Sequence, residues 1–359
     1  MTPYKIPALP LTEDIETKIV LKKCSEANRY LGELKGIAKT IPNEEILINT
    51  LTLREAKDSS EVEGIITTHD DLYRAVIDKK FINKSKNSKE VINYRKALQQ
   101  GFYLVRKDGL LTANRIKEIQ NILEPNYPDF RKIKLNLIKE NTGDVIYIPP
   151  IIPSDIEEYM SNLEKFINDD SVSDLDYLIK MAIIHHQFES IHPFLDGNGR
   201  TGRMINILYL VLKGLLDIPI LYLSRYFIKH REEYYELLKK VQDFNAWEEW
   251  IIFVLNGIEE TAENTIKFVK DISFLINDSK PKIRSALGMK YSHELLNAIF
   301  SHPFTTVDFL KDSLKISRPT STKYLNILSS ENFLEKGKIG KFNYYVNKPL
   351  YNLLLEHTL

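Results

Sequence analysis

Twelve consecutive residues, His192-Pro193-Phe194-Leu195-Asp196-Gly197-Asn198-Gly199-Arg200-Thr201-Gly202-Arg203, bring together one titratable base, one carboxylate, three glycines and two arginines. Each type has a use at a phosphate. Glycines let backbone N–H groups come close to an anion, and a helix that starts just behind them turns its free donors and partial positive charge the same way. Arg200 and Arg203 are three apart, so they share one face of the first helical turn and can grip phosphate oxygens with paired N–H groups. Asp196 is a hard oxygen ligand suited to Mg2+ bridging the protein and a nucleotide. His192, with an ordinary pKa of about 6.5, can take a proton from an incoming hydroxyl near neutral pH.

Other readings of the same residues fit less well. The stretch GNGRTG satisfies G-x-G-x-x-G, but a dinucleotide site needs a strand before it and alternating strands and helices around it, whereas MAIIHHQFES is helical in pattern. A calcium loop beginning at Asp196 would need an acidic twelfth residue, and that position is Ile207. His185, His186 and Glu189 with His192 sketch a zinc site, but no cysteine or second cluster completes a tetrahedral set. Packing and positioning of the loop is their expected role.

Apolar residues at helical spacing, as at Ile15, Ile19, Leu21, Ala27, Leu31, Leu34 and Ile37, predict a mainly α protein. From Ile133 to Ile148 the pattern alternates on either side of Asn141-Thr142-Gly143-Asp144 and predicts a β-hairpin, stopped by Pro149-Pro150. Helical periodicity runs from Ser154 through Leu175 to Phe188, breaks at the Gly-rich loop and restarts at Arg200. A further helical stretch is expected from about Glu232 to Ile276. The following NDSKPKIRSALGMK reads as a polar connector, with a domain boundary near Pro281. Beyond it, helical patterns at Glu294–Phe300 and Val307–Leu314, the stretch SRPTSTKYLNILSSENF, and two short strands around Gly337 and Gly340 follow the winged helix-turn-helix order.

The 359 residues exceed one ordinary core, so two domains, or one large helical domain with an appendage, are expected. Lys and Arg balance Asp and Glu at 49 each, but residues 281–359 carry eleven of the former against six of the latter. Any DNA contact is therefore expected there. Cys24 is the single cysteine, so no intrachain disulfide forms. The N-terminal residues lack a basic segment followed by an apolar stretch, and no uncharged run approaches the roughly 20 residues of a membrane span. The reading is a soluble, unprocessed, cytoplasmic protein without a membrane partner.

The dodecapeptide matches HxFx(D/E)GNGRxxR at every specified position and so resembles the Fic (filamentation induced by cAMP) family. The stretch LTLREAKDSSEVEGIITTHDDL resembles the family's N-terminal region, with Ser59, Glu63 and Gly64 fitting its inhibitory pattern (S/T)xxxE(G/N). SRYFIKHREEYYELLKKVQ and AWEEWIIFVLNGIEETA resemble the family's closing helices, separate from each other. The resemblance covers about residues 1–280. It implies a Fic-type helical bundle with a β-hairpin flap at 133–148, onto whose edge a target segment adds as a strand, plus the C-terminal winged helix. The division it suggests is 1–110 for an N-terminal helical region with an inhibitory helix around 59–64, 111–280 for a catalytic core with the motif at 192–203, and 281–359 for the winged helix.

What the resemblance implies about activity is transfer of AMP from Mg-ATP to a Ser, Thr or Tyr hydroxyl of a target protein or of the chain itself. His192 would be the base and Asp196 the Mg2+ ligand. Gly197, Asn198, Gly199, Arg200, Thr201, Gly202 and Arg203 would hold the phosphates, and Tyr234, with Tyr235 an equal rival, the adenine. Glu63 would pair with Arg203 and occupy the place of the γ-phosphate, since one arginine fork serves a carboxylate or a phosphate but not both well. A homodimer is expected by analogy. Two alternatives stay open: removal of AMP at the same site with Glu63 holding a water, and a nucleotide-sensing transcriptional regulator binding DNA through 281–359, where Arg318, Lys323, Lys336, Lys338 and Lys341 lie.

Overall fold

The computed structural model of the chain describes residues 4–68, 72, 86–135, 137–138, 145–339 and 342–356. It is mainly helical, with five short strands among the described residues. The first four helices are α1 (Lys18–Ala38), α2 (Glu44–Val62), α3 (Lys86–Asp108) and α4 (Ala113–Leu123). Then come β1 (Leu137–Ile138) and β2 (Val145–Tyr147), followed by α5 (Pro153–Asn168), α6 (Tyr177–Ile191), α7 (Asn198–Leu212), α8 (Ser224–Lys229), α9 (Arg231–Phe244) and α10 (Trp247–Leu287). The last part holds α11 (His293–Phe300), β3 (Phe304–Thr306), α12 (Val307–Leu314), α13 (Arg318–Ser330), β4 (Leu334–Ile339), β5 (Phe342–Asn347) and α14 (Lys348–Glu356).

Two compact units interleave along the chain: residues 1–32, 58–65 and 93–262 form one, and 33–57, 66–92 and 263–359 the other. In the first, α6 is buried on nearly every side, from Leu178 to Ile191 with only Glu189 partly open. A helix buried on nearly every side is a central one, and here it takes Lys180, His185, His186, Gln187 and Ser190 inside with it. Trp250 of α10 donates its indole N–H to the Ala182 carbonyl at 2.8 Å. His185 lies between Trp250 and Phe227, ring centroids 5.9 and 5.7 Å away and nearly parallel. His185 and His186 are thus packing residues of the central helix, and His186 meets the Leu238 carbonyl at 3.2 Å.

In the second unit β3, β5 and β4 form an antiparallel sheet in that order behind α11, α12 and α13. Thr306 and Ser317 cap α12 and α13 by accepting the amides of Phe309 and Thr320. Strand pairing brings Gly337 opposite Tyr344, whose ring lies where a side chain at 337 would stand. The helix, strand, two-helix, hairpin order agrees with the sequence pattern; Gly340 and Lys341 lie outside the described residues.

The structure divides, extends or shortens four of the patterns read from sequence. The helical run from Ser154 to Phe188 is two helices, because Asp169 and Asp176 turn their carboxylates onto the amides of Ser171 and Leu178 and begin new turns. The run from Glu232 to Ile276 is also divided, at Asn245, whose backbone adopts φ 56°. The polar connector at 277–290 is helix to Leu287 with Pro281 inside it, because Ile276, Ile283 and Leu287 keep a buried stripe at helical spacing. The expected hairpin reduces to Leu137 opposite Tyr147 and Ile138 opposite Val145, and its turn at 141–144 lies outside the described residues.

Candidate active site

The loop between α6 and α7 is closed by its own side chains. His192 ends α6 in the left-handed region, φ 47°, with its N–H on the Phe188 carbonyl at 2.9 Å. Asn198 spans the loop: its Oδ1 accepts the Phe194 N–H at 2.9 Å and its Nδ2 donates to the Phe194 carbonyl at 2.8 Å. Phe194 is fully buried against Phe130 and Phe188. Gly197, at φ 79°, is the N-cap of α7 and carries no side chain to cap its amides. The helix start therefore faces the loop with the donors and partial charge that attract an anion.

Helix α4 supports this loop from beneath. Gln120, fully buried, donates to the Asp196 carbonyl at 2.8 Å and accepts the Thr201 hydroxyl at 2.8 Å. One turn on, Glu124 takes Arg200 at 2.9 Å, while Asp196 stands 3.5 Å from the same guanidinium. Glu124 also packs beneath Gly197, where a Cβ would stand 3.2 Å from its Cγ. Neither Gln120 nor Glu124 was singled out from sequence. The available signal was a pair of polar residues four apart on a helix whose Ile116, Ile119 and Leu123 are buried.

The end of α2 enters the same site. It closes with the Gly64 N–H on the Glu61 carbonyl and the Ile65 N–H on the Ser60 carbonyl, a Schellman ending that needs the left-handed Gly64, φ 79°. That ending aims Glu63 at α7. Arg203 donates to the Glu63 carboxylate at 2.8 Å, to the Ser59 hydroxyl at 2.8 Å and to the Ser59 carbonyl at 2.8 Å. The Glu63 carboxylate sits where a Cβ on Gly199 would be, so only glycine there leaves it room. Arg203 is buried while 33% of the Glu63 side chain remains exposed. Burial alone would raise the Glu63 carboxyl, but Arg203, with Arg200 and His192 behind it, outweighs burial and holds it below its ordinary value.

His192 is pushed down to about 4, by burial first and then by the Arg131 guanidinium, against the opposing Glu63 and Asp196 carboxylates. It is neutral at physiological pH and so able to accept a proton. Among the described residues no side chain is hydrogen-bonded to its Nδ1. Glu189, one turn before it, is pushed up to about 8 by burial, and among the described residues its buried Oε1 has no hydrogen-bond partner. A Cβ on Gly202 would lie 2.5 Å from that oxygen.

The site's tyrosines differ in access. Tyr234 is 1% exposed and its hydroxyl meets His185 at 3.0 Å, with Asn206 on the other ring nitrogen at 3.0 Å. Tyr235 is 44% exposed and stands edge-on to Tyr234. Asp196 is 60% exposed beside the helix start. Among the described residues no three His, Cys, Asp or Glu side chains converge on one point, so a cation on Asp196 would draw its other ligands from nucleotide and water.

An open helix start, a neutral histidine and two buried arginines meet in this site. The Fic/DOC family N-terminal profile matches residues 21–103, the Fic/DOC family profile 110–210, and the profile of the C-terminal domain of SoFic-like protein adenylyltransferases 275–350. The chain belongs to the Fic/DOC family. It is similar to the protein adenylyltransferase fic-1 of Caenorhabditis elegans, 33% identical over 34% of this chain and 23% of that protein, and to the protein adenylyltransferase Fic of Drosophila mojavensis, 26% identical over 60% and 38%. The chain spans only 22% to 25% of the first three curated relatives it matches. Among solved structures, a Fic family protein from Desulfovibrio desulfuricans G20 shares the fold, with TM-score 0.57, 18% identity and coverage of 96% of this chain and 98% of that one. C. elegans Fic-1 aligns with TM-score 0.55 at 20% identity over 70% and 73%.

Proposed function

We propose that the chain is a protein adenylyltransferase that moves AMP from ATP to a protein hydroxyl and is restrained by Glu63. The observation that supports this reading is the convergence of His192, the open start of α7 and Arg203 in one site, with a carboxylate from 140 residues upstream seated on that arginine. The phosphates lie on the start of α7, gripped by Arg200 and Arg203. His192 accepts the proton of the target hydroxyl as its oxygen bonds to the α-phosphorus and the bridge to the β-phosphate breaks, releasing pyrophosphate. Positioning and charge stabilisation do most of the work. Asp196 would hold Mg2+, which when bound would share the negative charge of the phosphates. Asn198 contributes by closing the loop, and of the two tyrosines Tyr235 offers the accessible ring to adenine.

Labelled ATP tests this on wild type, Glu63→Gly and Glu63→Gly/His192→Ala, with α- and γ-label compared. α-Label on protein should rise at least about tenfold in Glu63→Gly and vanish with His192→Ala. γ-Label would make the protein a kinase, and no label in any chain would favour AMP removal, tested by incubating wild type with AMP-modified protein.

A second role, DNA binding, is favoured by the outward face of α13, where Arg318, Thr322, Lys323 and Asn326 line an open concavity of about 790 Å3. The second helix of a helix-turn-helix is the one that enters the major groove. Lys323→Ala should weaken duplex DNA binding and lower its salt slope by about 0.9; no salt-dependent binding by wild type would end this reading. Point variants are preferable to truncation at 281, which would cut α10.

A further inference from the structure

The last carbonyls of a helix have no partners within it, and at the end of α6 these are the carbonyls beside the proposed base. Those of Ser190, Ile191 and His192 are taken by the side chains of Tyr147 and Arg131. Tyr147 of β2 donates its hydroxyl to the Ser190 carbonyl at 2.7 Å. Arg131, before β1, donates Nε to the His192 carbonyl at 2.8 Å and Nη2 to the Ile191 carbonyl at 3.4 Å. The same guanidinium reaches the Pro150 carbonyl, at 2.6 Å, and the Ile133 carbonyl, at 3.2 Å, while the Arg131 N–H holds the Pro193 carbonyl at 2.8 Å. Arg131 is buried, and among the described residues no carboxylate is paired with it. A buried cation held only by carbonyls is costly unless it satisfies several at once. The helix end, where the backbone dipole is negative, is a place where that charge is favoured.

We propose that Arg131 and Tyr147 are positioning residues forming a clamp, which fixes His192 and both stems of the hairpin as one unit. The consequence is that the base and the segment that receives the target cannot drift apart, although 43 residues separate Tyr147 from Ser190 and 61 separate Arg131 from His192. The start of α7 has its own supports in Gln120, Glu124 and Asn198. Loss of the clamp therefore lowers turnover while leaving ATP binding in place. The kinetic arm of the test rests on the proposed AMP transfer; the exchange arm does not.

The test compares Arg131→Met, Arg131→Lys and Tyr147→Phe in the Glu63→Gly chain. Readouts are ATP affinity by calorimetry, self-labelling from α-labelled ATP, and amide hydrogen exchange. Arg131→Met should lower kcat for labelling at least about tenfold, with ATP affinity and KM for ATP within about twofold. Exchange at amides 145–148 and 190–192 should speed up about tenfold while 200–210 keep their protection. Tyr147→Phe should show a smaller effect of the same pattern, and Arg131→Lys, keeping the charge but not the fork, should fall between. Unchanged exchange at 190–192 in both Arg131→Met and Tyr147→Phe overturns the clamp. If Arg131→Met unfolds as a whole, Arg131→Lys and Tyr147→Phe decide by the same readouts. Absence of label in the Glu63→Gly parent with the expected exchange pattern would remove the transferase reading and leave the clamp standing.

Discussion

Each motif arginine is held by a carboxylate from another helix: Arg203 by Glu63 and Arg200 by Glu124. These pairs differ in kind. Glu63 comes from a helix end with a third of its side chain exposed, whereas Glu124 packs under Gly197 as part of the loop's support. A charge-assisted pair competes with any phosphate for the same N–H groups. Glu124→Gln keeps the packing and removes the charge, so ATP should bind severalfold more tightly to this variant in a Glu63→Gly chain; calorimetry giving equal or weaker binding would count against competition at Arg200. At this scale the loop was legible because its chemistry is contiguous. Gln120, Glu124 and Arg131 were not, because each acts on loop residues 60 to 81 positions away.

At the scale of elements, the site is a meeting of helix ends. The end of α2 delivers Glu63, the end of α6 delivers His192, and the start of α7 faces both. What makes the first ending work is Gly64, whose φ of 79° closes the Schellman turn with open space around its Cβ position. Gly64→Ala meets no clash and costs only the left-handed conformation, about 1 kcal/mol. The variant should melt a few degrees lower and, with Glu63 aimed less firmly, show more α-label transfer than wild type. Thermal melts and labelling check the two effects separately. Helix existence was readable from periodicity, but helix breaks were not: Asp169, Asp176 and Asn245 interrupt runs whose apolar spacing continues. Pro281 misled in the other direction, because the buried stripe of Ile276, Ile283 and Leu287 overrode its usual signal.

For the molecule as a whole, Glu189, partly open but with its Oε1 buried, sets a pH dependence. Its carboxyl is about 8 in the folded chain against 4.5 when exposed. Between those values the folded state binds more protons than the unfolded one, so this group lowers stability as pH rises through that window. Glu189→Gln keeps the shape and removes the titration. Its stability advantage over wild type should grow from pH 5 to pH 8, reaching on the order of 1 kcal/mol or more. Denaturant unfolding at several pH values measures this, and a constant difference would refute it. The pair of Glu63 and Arg203 acts with the opposite sign: its contribution is present above the ordinary carboxylate value and is lost as pH falls through the depressed one.

The sequence by itself determined the helical class, the Gly-rich loop motif at 192–203, and the pattern at Ser59, Glu63 and Gly64. Local spacing decides helix formation, and contiguous residues carry the loop's chemistry. Only the tertiary structure decided that Glu63 seats on Arg203, that Asn198 closes its own loop, that Tyr234 is buried where Tyr235 is open, and that Glu124 and Arg131 hold the loop from outside. Those contacts bridge long sequence separations and depend on which carbonyls and cations burial leaves without water. Packing, and not spacing along the chain, fixes that.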